Sequence, residues 1–214
     1  MLSNMTKGIK SNNLKDFKTY LDNNTKIKDY VLDINYKYNI TLNIYKNNKD
    51  KIIKVNPNDL FSSLMGNNNY QSSYSNYNVF TEMLDNQEVL ESQYEVLAGK
   101  YATEENELML ITNSNNEISD YVLYTLGIKD QEELQSIIAK VMKGESVSVN
   151  KTTYNYDDLL NLEYKLVLPT SYYQKVNNKY IKIEDEEGIK KLIQEGMTLK
   201  IVGIIKEKES ATSL

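Results

Sequence analysis

The sequence predicts an α+β fold, with a mixed or antiparallel sheet and short helices, on three observations. Residues 30–44 alternate apolar and polar positions. Several segments carry capped, helically spaced apolar stripes. Strands and helices are interspersed without the strict alternation of a doubly wound fold.

The elements follow in order. Leu14, Phe17, Tyr20 and Leu21 recur at helical spacing behind the cap candidates Asn12 and Asn13, which predicts a helix over about 13–23. Tyr30, Leu32, Ile34, Tyr36, Tyr38, Ile40, Leu42 and Ile44 then occupy every second position. Period two with one polar face predicts a long, half-solvated antiparallel strand. Asn47-Asn48-Lys49-Asp50 supplies turn chemistry, and Lys51 to Val55 is expected to return as a second strand.

Asn56-Pro57 starts a helix well, with Leu60, Leu64 and Met65 following and Gly66 as its stop. Residues 66–78 are built from Asn, Ser and Tyr and are expected to form an exposed loop. Phe80, Met83, Leu84, Val89 and Leu90 suggest one or two short helices.

Glu107 to Thr112 reads as a buried strand, and Ser119 to Leu126 as a short helix ended by Gly127. Asp130 and Glu133 open a helix whose stripe is Leu134, Ile137, Ile138 and Val141, with Gly144 beyond it. Tyr164 to Leu168 reads as a strand that stops at Pro169. Asn177-Asn178 marks a turn before the strand Tyr180 to Ile183. Asp185 caps a helix carrying Ile189, Leu192 and Ile193, ended by Gly196. On the last strand Met197, Leu199, Ile201, Gly203 and Ile205 alternate. Val202 and Ile204 make its centre apolar on both faces, which predicts a central strand. Gly203→Leu there is expected to cost about 1–3 kcal/mol through overpacking.

Composition removes whole classes of chemistry. The 214 residues include no histidine and no cysteine, so His-based triads, His-ligated metals, thiol catalysis and disulfides are out. All 25 basic residues are lysine, so planar bidentate anion clamps are absent. The net charge of -5 argues against a general affinity for nucleic acid or anionic lipid. No run approaches the roughly 20 apolar residues of a membrane span, and the N-terminus lacks the apolar core of a signal peptide. The chain is therefore expected to be either cytosolic or a soluble piece of something larger.

Two carboxylate clusters stand out, Asp157-Asp158 and Asp185-Glu186-Glu187. A hydrolase would need such groups facing each other across a cleft. Both clusters fall at predicted helix starts, where negative charge complements the helix dipole. No phosphate-cradling glycine series and no calcium loop is present. Tyr70, Tyr74 and Tyr77 lie on the Asn/Ser-rich loop. Exposed tyrosines of this kind suit contact with a peptide or sugar, or else belong to a loop that binds nothing.

Six passages, in order, carry a family resemblance. They are Phe80-x-x-Met83-Leu84, Gln93-Tyr94-x-Val96-Leu97-x-Gly99, Asn106 to Leu110, Ile118 to Gly127, Leu168 to Tyr173, and Leu199 to Ile205. Together they resemble the extracytoplasmic, MacB-like core domain of MacB/FtsX-type ABC transporter permeases of low-GC Gram-positive bacteria, over about Ser62 to Lys206. The resemblance implies an N-terminal β-rich subdomain over 1–92, with its loop at 66–78, and an α/β subdomain over 93–214. It implies a non-catalytic domain on the extracellular face of the cell membrane, with no cofactor of its own. ATP and Mg²⁺ would belong to an associated nucleotide-binding domain. Implied partners are the transporter's transmembrane helices and ATPase, with a second permease copy and a peptide, lipoprotein or antibiotic-like substrate as further options, and no nucleic acid. Two rivals stay open, a secreted or surface-anchored peptide- or glycan-binding module and a cytosolic enzyme using paired carboxylates.

Overall fold

The structure, a computed structural model, describes residues 12–38, 40, 42–48, 51–55, 79–148 and 151–211. The fold is α+β, with short helices and a largely antiparallel sheet. Backbone packing separates two units, one of residues 1–37 with 84–90 and one of 38–83 with 91–214.

The first unit contains α1 (Leu14–Asn23) and α2 (Thr25–Lys28). Asn13 caps α1, its side chain accepting the Asp16 N–H at 3.3 Å, as the sequence predicts. Asn24 ends α1 and caps α2, accepting from the N–H groups of Lys26 and Ile27. Lys18 pairs with Asp22 at 2.8 Å and lies 4.1 Å above the Tyr36 ring, whose hydroxyl donates to Asp22 at 2.8 Å. The hydrogen bond from Lys18, then that from Tyr36, holds the Asp22 carboxyl below its usual range.

The long alternating strand expected over 30–44 is not formed. The chain instead closes α2 through N–H bonds from Asp29 and Tyr30 to the carbonyls of Lys26 and Ile27, and β structure begins only at Asn43. Tyr30 and Leu32 are 88% and 82% exposed. Alternation prescribes a face but supplies no ladder partner, and residues 31–38 pair with no strand among the described residues.

The second unit is built on a six-stranded sheet: β1 (Asn43–Asn48), β2 (Lys51–Lys54), β3 (Tyr94–Gly99), β4 (Glu107–Thr112), β5 (Glu163–Val167) and β8 (Met197–Glu207). β6 (Tyr173–Val176) and β7 (Lys179–Lys182) form a separate hairpin. The sheet runs β2-β1-β5-β8-β3, with β4 joined to β8 in parallel. The pairing of β1 with β5 carries one sheet across the 92/93 division expected from the sequence.

β8 is the central strand. It pairs with β5 over 197–200, with β4 over 200–206 and with β3 over 203–207. Ile204 and Ile205 are each 1% exposed, so both faces are covered there, as the run of apolar residues predicts. The core gathers Ile44, Val55, Leu110, Leu126, Tyr164, Leu199, Ile201 and Ile204, with Leu159 from a short helix. Tyr164 packs edge-to-face on Phe80, ring centres 6.0 Å apart, and its hydroxyl donates to the Leu126 carbonyl at 3.3 Å. Burial pushes its phenol upward.

The described residues hold five more α-helices: α3 (Gln87–Gln93), α4 (Asp120–Thr125), α5 (Gln131–Met142), α6 (Tyr156–Leu159) and α7 (Glu186–Glu195). Asp130 and Asp185 cap α5 and α7 as expected from sequence, and Ser119, read as the first residue of its helix, caps α4. Gly127 and Gly144 take positive φ beyond α4 and α5, the conformation for which glycine is favoured. The Lys46 ammonium donates to the Gly127 carbonyl at 2.7 Å, a favourable cation at a helix C-terminus. Only α3 forms where one or two helices are expected over 80–90. The helix expected from Asn56-Pro57 lies outside the described residues.

The turn between β3 and β4 is tied down by Glu107. Its carboxylate pairs with Lys100 at 2.6 Å and accepts the Thr103 N–H at 2.8 Å and the Glu104 N–H at 3.3 Å. The Lys100 hydrogen bond, then that of the Thr103 backbone, lowers its pKa from 4.5 to about 2. A depressed carboxylate contributes stability above its unfolded pKa and loses it as pH falls through the folded one. Unfolding free energy is therefore expected to fall between pH 4.5 and about 2 partly through this group. Glu107→Gln should lower stability at neutral pH and flatten that acid limb in urea titrations. Parallel acid limbs in the two proteins would contradict this assignment.

Candidate functional site

The two carboxylate clusters are local helix-start structures. Asp157 and Asp158 sit in the first turn of α6, and Asp158 accepts from the Asn155 side chain at 3.2 Å. Asp185 caps α7, accepting the Gly188 N–H at 2.7 Å, and Glu186 pairs with Lys190 at 2.6 Å. Glu187 lies beside them in the first turn. This is the dipole-complementing arrangement predicted from sequence. Among the described residues no group of three or more His, Cys, Asp or Glu side chains could hold a metal ion. Tyr70, Tyr74 and Tyr77 lie outside the described residues.

Sequence reading missed a cleft of about 490 Å³ beside α5. Glu133, Ser136, Ile137 and Lys140 of the helix form one wall, Ile128 and Lys129 precede it, and Val147, Ser148, Thr152 and Tyr154 face it. Lys129 is held by Asp120 at 2.7 Å and lies 5.5 Å from the centre of the Tyr124 ring. The hydrogen bond it donates to Asp120 raises the Lys129 pKa and keeps the ammonium charged. The lining offers ammonium groups, hydroxyls and one carboxylate, which suits holding a small polar molecule. The α5 stripe was legible, but residues 147–154 carry no periodic pattern that would place them opposite it.

Three of the passages that carry the family resemblance meet on β8. Gln93 to Gly99 ends α3 and forms β3, Asn106 to Leu110 enters β4, and Leu199 to Ile205 lies within β8. β3 and β4 both pair with β8. Ile118 to Gly127 spans α4, from which Leu126 joins the core. Leu168 to Tyr173 covers a 3-10 turn, Pro169–Tyr172, and the first residue of β6.

The backbones of β3 and β8 meet most closely at two glycines. Gly99 pairs with Gly203, and the Lys100 N–H donates to the Val202 carbonyl at 3.0 Å. A Cβ on Gly203 would lie 2.0 Å from the Lys100 carbonyl oxygen, and one on Gly99 would lie 2.1 Å from that of Val202. Register shifts between Val96 and Ala98 and between Leu108 and Met109 flank this point.

No protein-family model, curated protein or solved structure matches the chain. Among the described residues no helix is long and apolar enough to cross a membrane.

Proposed function

We propose that this chain is the extracytoplasmic domain of an ABC transporter permease of the MacB/FtsX type. It performs no bond chemistry of its own. It couples ATP-driven movement of transmembrane helices to the handling or export of a peptide, lipoprotein or antibiotic-like substrate. The observation that carries this reading is the convergence of the resembling passages. Three of them, well separated in the chain, become the adjacent strands β3, β4 and β8.

The mechanical role follows from that strand. β8 is held in register by three partners, so a displacement applied to one is shared by the others. Close packing transmits such a displacement rather than absorbing it. Coupling of this kind needs two arrangements of the domain, each favoured at a different stage of the ATP cycle.

The absence of cysteine from these 214 residues allows a labelling test, read against the unsubstituted full-length protein as background. A single Glu105→Cys change, at an exposed turn position, is introduced into the full-length protein in its own cells. A membrane-impermeant maleimide added to intact cells is expected to label it. Labelling only after lysis would place the domain in the cytosol and sink the proposal.

A further inference from the structure

We propose that the tip of the β6–β7 hairpin, Lys175 to Tyr180, docks on an anionic lipid surface. Every strand residue of this hairpin is exposed. Its base is fixed: the Ile183 N–H donates to the Tyr172 carbonyl at 2.7 Å, and the Tyr172 and Tyr45 hydroxyls meet at 2.6 Å. Asn177 and Asn178 turn the chain with φ of 47° and 63°, the left-handed pair that a tight two-residue hairpin requires. The ribbon is thus rooted at one end and open at the other.

The pairing places Lys175 opposite Tyr180, and Val176 opposite Lys179. Tyr180 is 72% exposed and Val176 39%, so each face of the tip sets one apolar side chain beside one ammonium group, Tyr180 with Lys175 and Val176 with Lys179. Lys175 and Lys179 form no ion pair among the described residues. From Leu168 to Ile183 the sequence contains no carboxylate, although the chain as a whole is acidic. The acidic run that follows is engaged locally. Glu184 pairs with Lys182 at 2.9 Å, Asp185 caps α7, and Glu186 pairs with Lys190.

Charge therefore selects an anionic partner, and shape selects its kind. A two-stranded ribbon exposed on both faces has no walls to enclose the side chains of an acidic peptide. It can rest in a headgroup layer, where tyrosine is at home and lysine stems lie along the apolar boundary with their charges on phosphate. Each lysine near such a surface adds attraction that salt screens. This contact goes beyond the permease reading and does not require it.

The test is co-sedimentation of the 214-residue chain with vesicles of phosphatidylcholine and phosphatidylglycerol, mixed roughly two to one. Binding is expected on these vesicles, but neither on pure phosphatidylcholine nor in about 0.5 M salt. The double variant Lys175→Gln, Lys179→Gln should bind about 30-fold more weakly, given the attraction each lysine contributes. Tyr180→Ser should also weaken binding, and both variants should keep the parent unfolding midpoint because these side chains are exposed. Undiminished binding by the lysine variant, no vesicle binding by the parent, or retention on polyglutamate without vesicle binding would each overturn the proposal. A chain that fails here but is labelled from outside the cell loses this contact and keeps the permease reading.

Discussion

Gly203→Ala is expected to destabilise the protein by about 3 kcal/mol, at the upper end of overpacking costs. The reason is the identity of the obstructing atom. The added methyl would lie 2.0 Å from a backbone carbonyl oxygen, that of Lys100, which no rotamer change can move. Relief requires β3 and β8 to separate, which stretches the 3.0 Å bond from the Lys100 N–H to the Val202 carbonyl and disturbs the Gly99–Gly203 pair. The sequence-based expectation of overpacking for Gly203→Leu thus applies already to the smallest side chain. Gly99→Ala should act in the same direction, since its φ of 76° adds backbone strain to a contact of 2.1 Å. Urea unfolding reads this as a lowered midpoint at unchanged slope. A parental midpoint for Gly203→Ala would show that the two backbones are further apart than described.

Tyr164→Ala is expected to cost about 3–5 kcal/mol, as for other large buried aromatics. Tyr164 is 1% exposed, lies in the core with Ile44, Leu126 and Ile201, and stacks edge-to-face on Phe80. Removing the ring leaves a cavity among β1, β5, β8 and the end of α4. Tyr164→Phe separates the two contributions. It keeps the packing and removes only the bond to the Leu126 carbonyl, so it should cost about 1 kcal/mol. Equal losses for the two variants would mean that the hydroxyl, not the ring, dominates at this site.

How far the fold was legible depended on whether the signal was local. Ser119, Asp130 and Asp185 announced helix starts because capping involves groups only two or three residues apart. Val202 and Ile204 announced a strand covered on both faces. They could not say that β3, β4 and β5 are its ladder partners, because those partners come from distant parts of the chain. The alternation of residues 30–44 misled for the same reason: it is compatible with a ladder, yet the pairing on β5 falls to Asn43, Ile44 and Tyr45. β6 escaped notice because Tyr173-Gln174-Lys175-Val176 lacks alternation, although its turn at Asn177-Asn178 was readable. At the level of chemistry, the lack of histidine and cysteine was decisive from sequence alone. The cleft beside α5 was not, since Val147, Ser148, Thr152 and Tyr154 of its lining come from a segment without pattern.

Capture of the full-length protein from detergent-solubilised native membranes, with mass spectrometry of whatever accompanies it, tests the central claim most directly. A membrane-embedded complex containing an ABC ATPase subunit, or an ATPase domain on the same polypeptide, is the expected result. Recovery of the protein from the soluble fraction, with no ATPase attached, would contradict the claim.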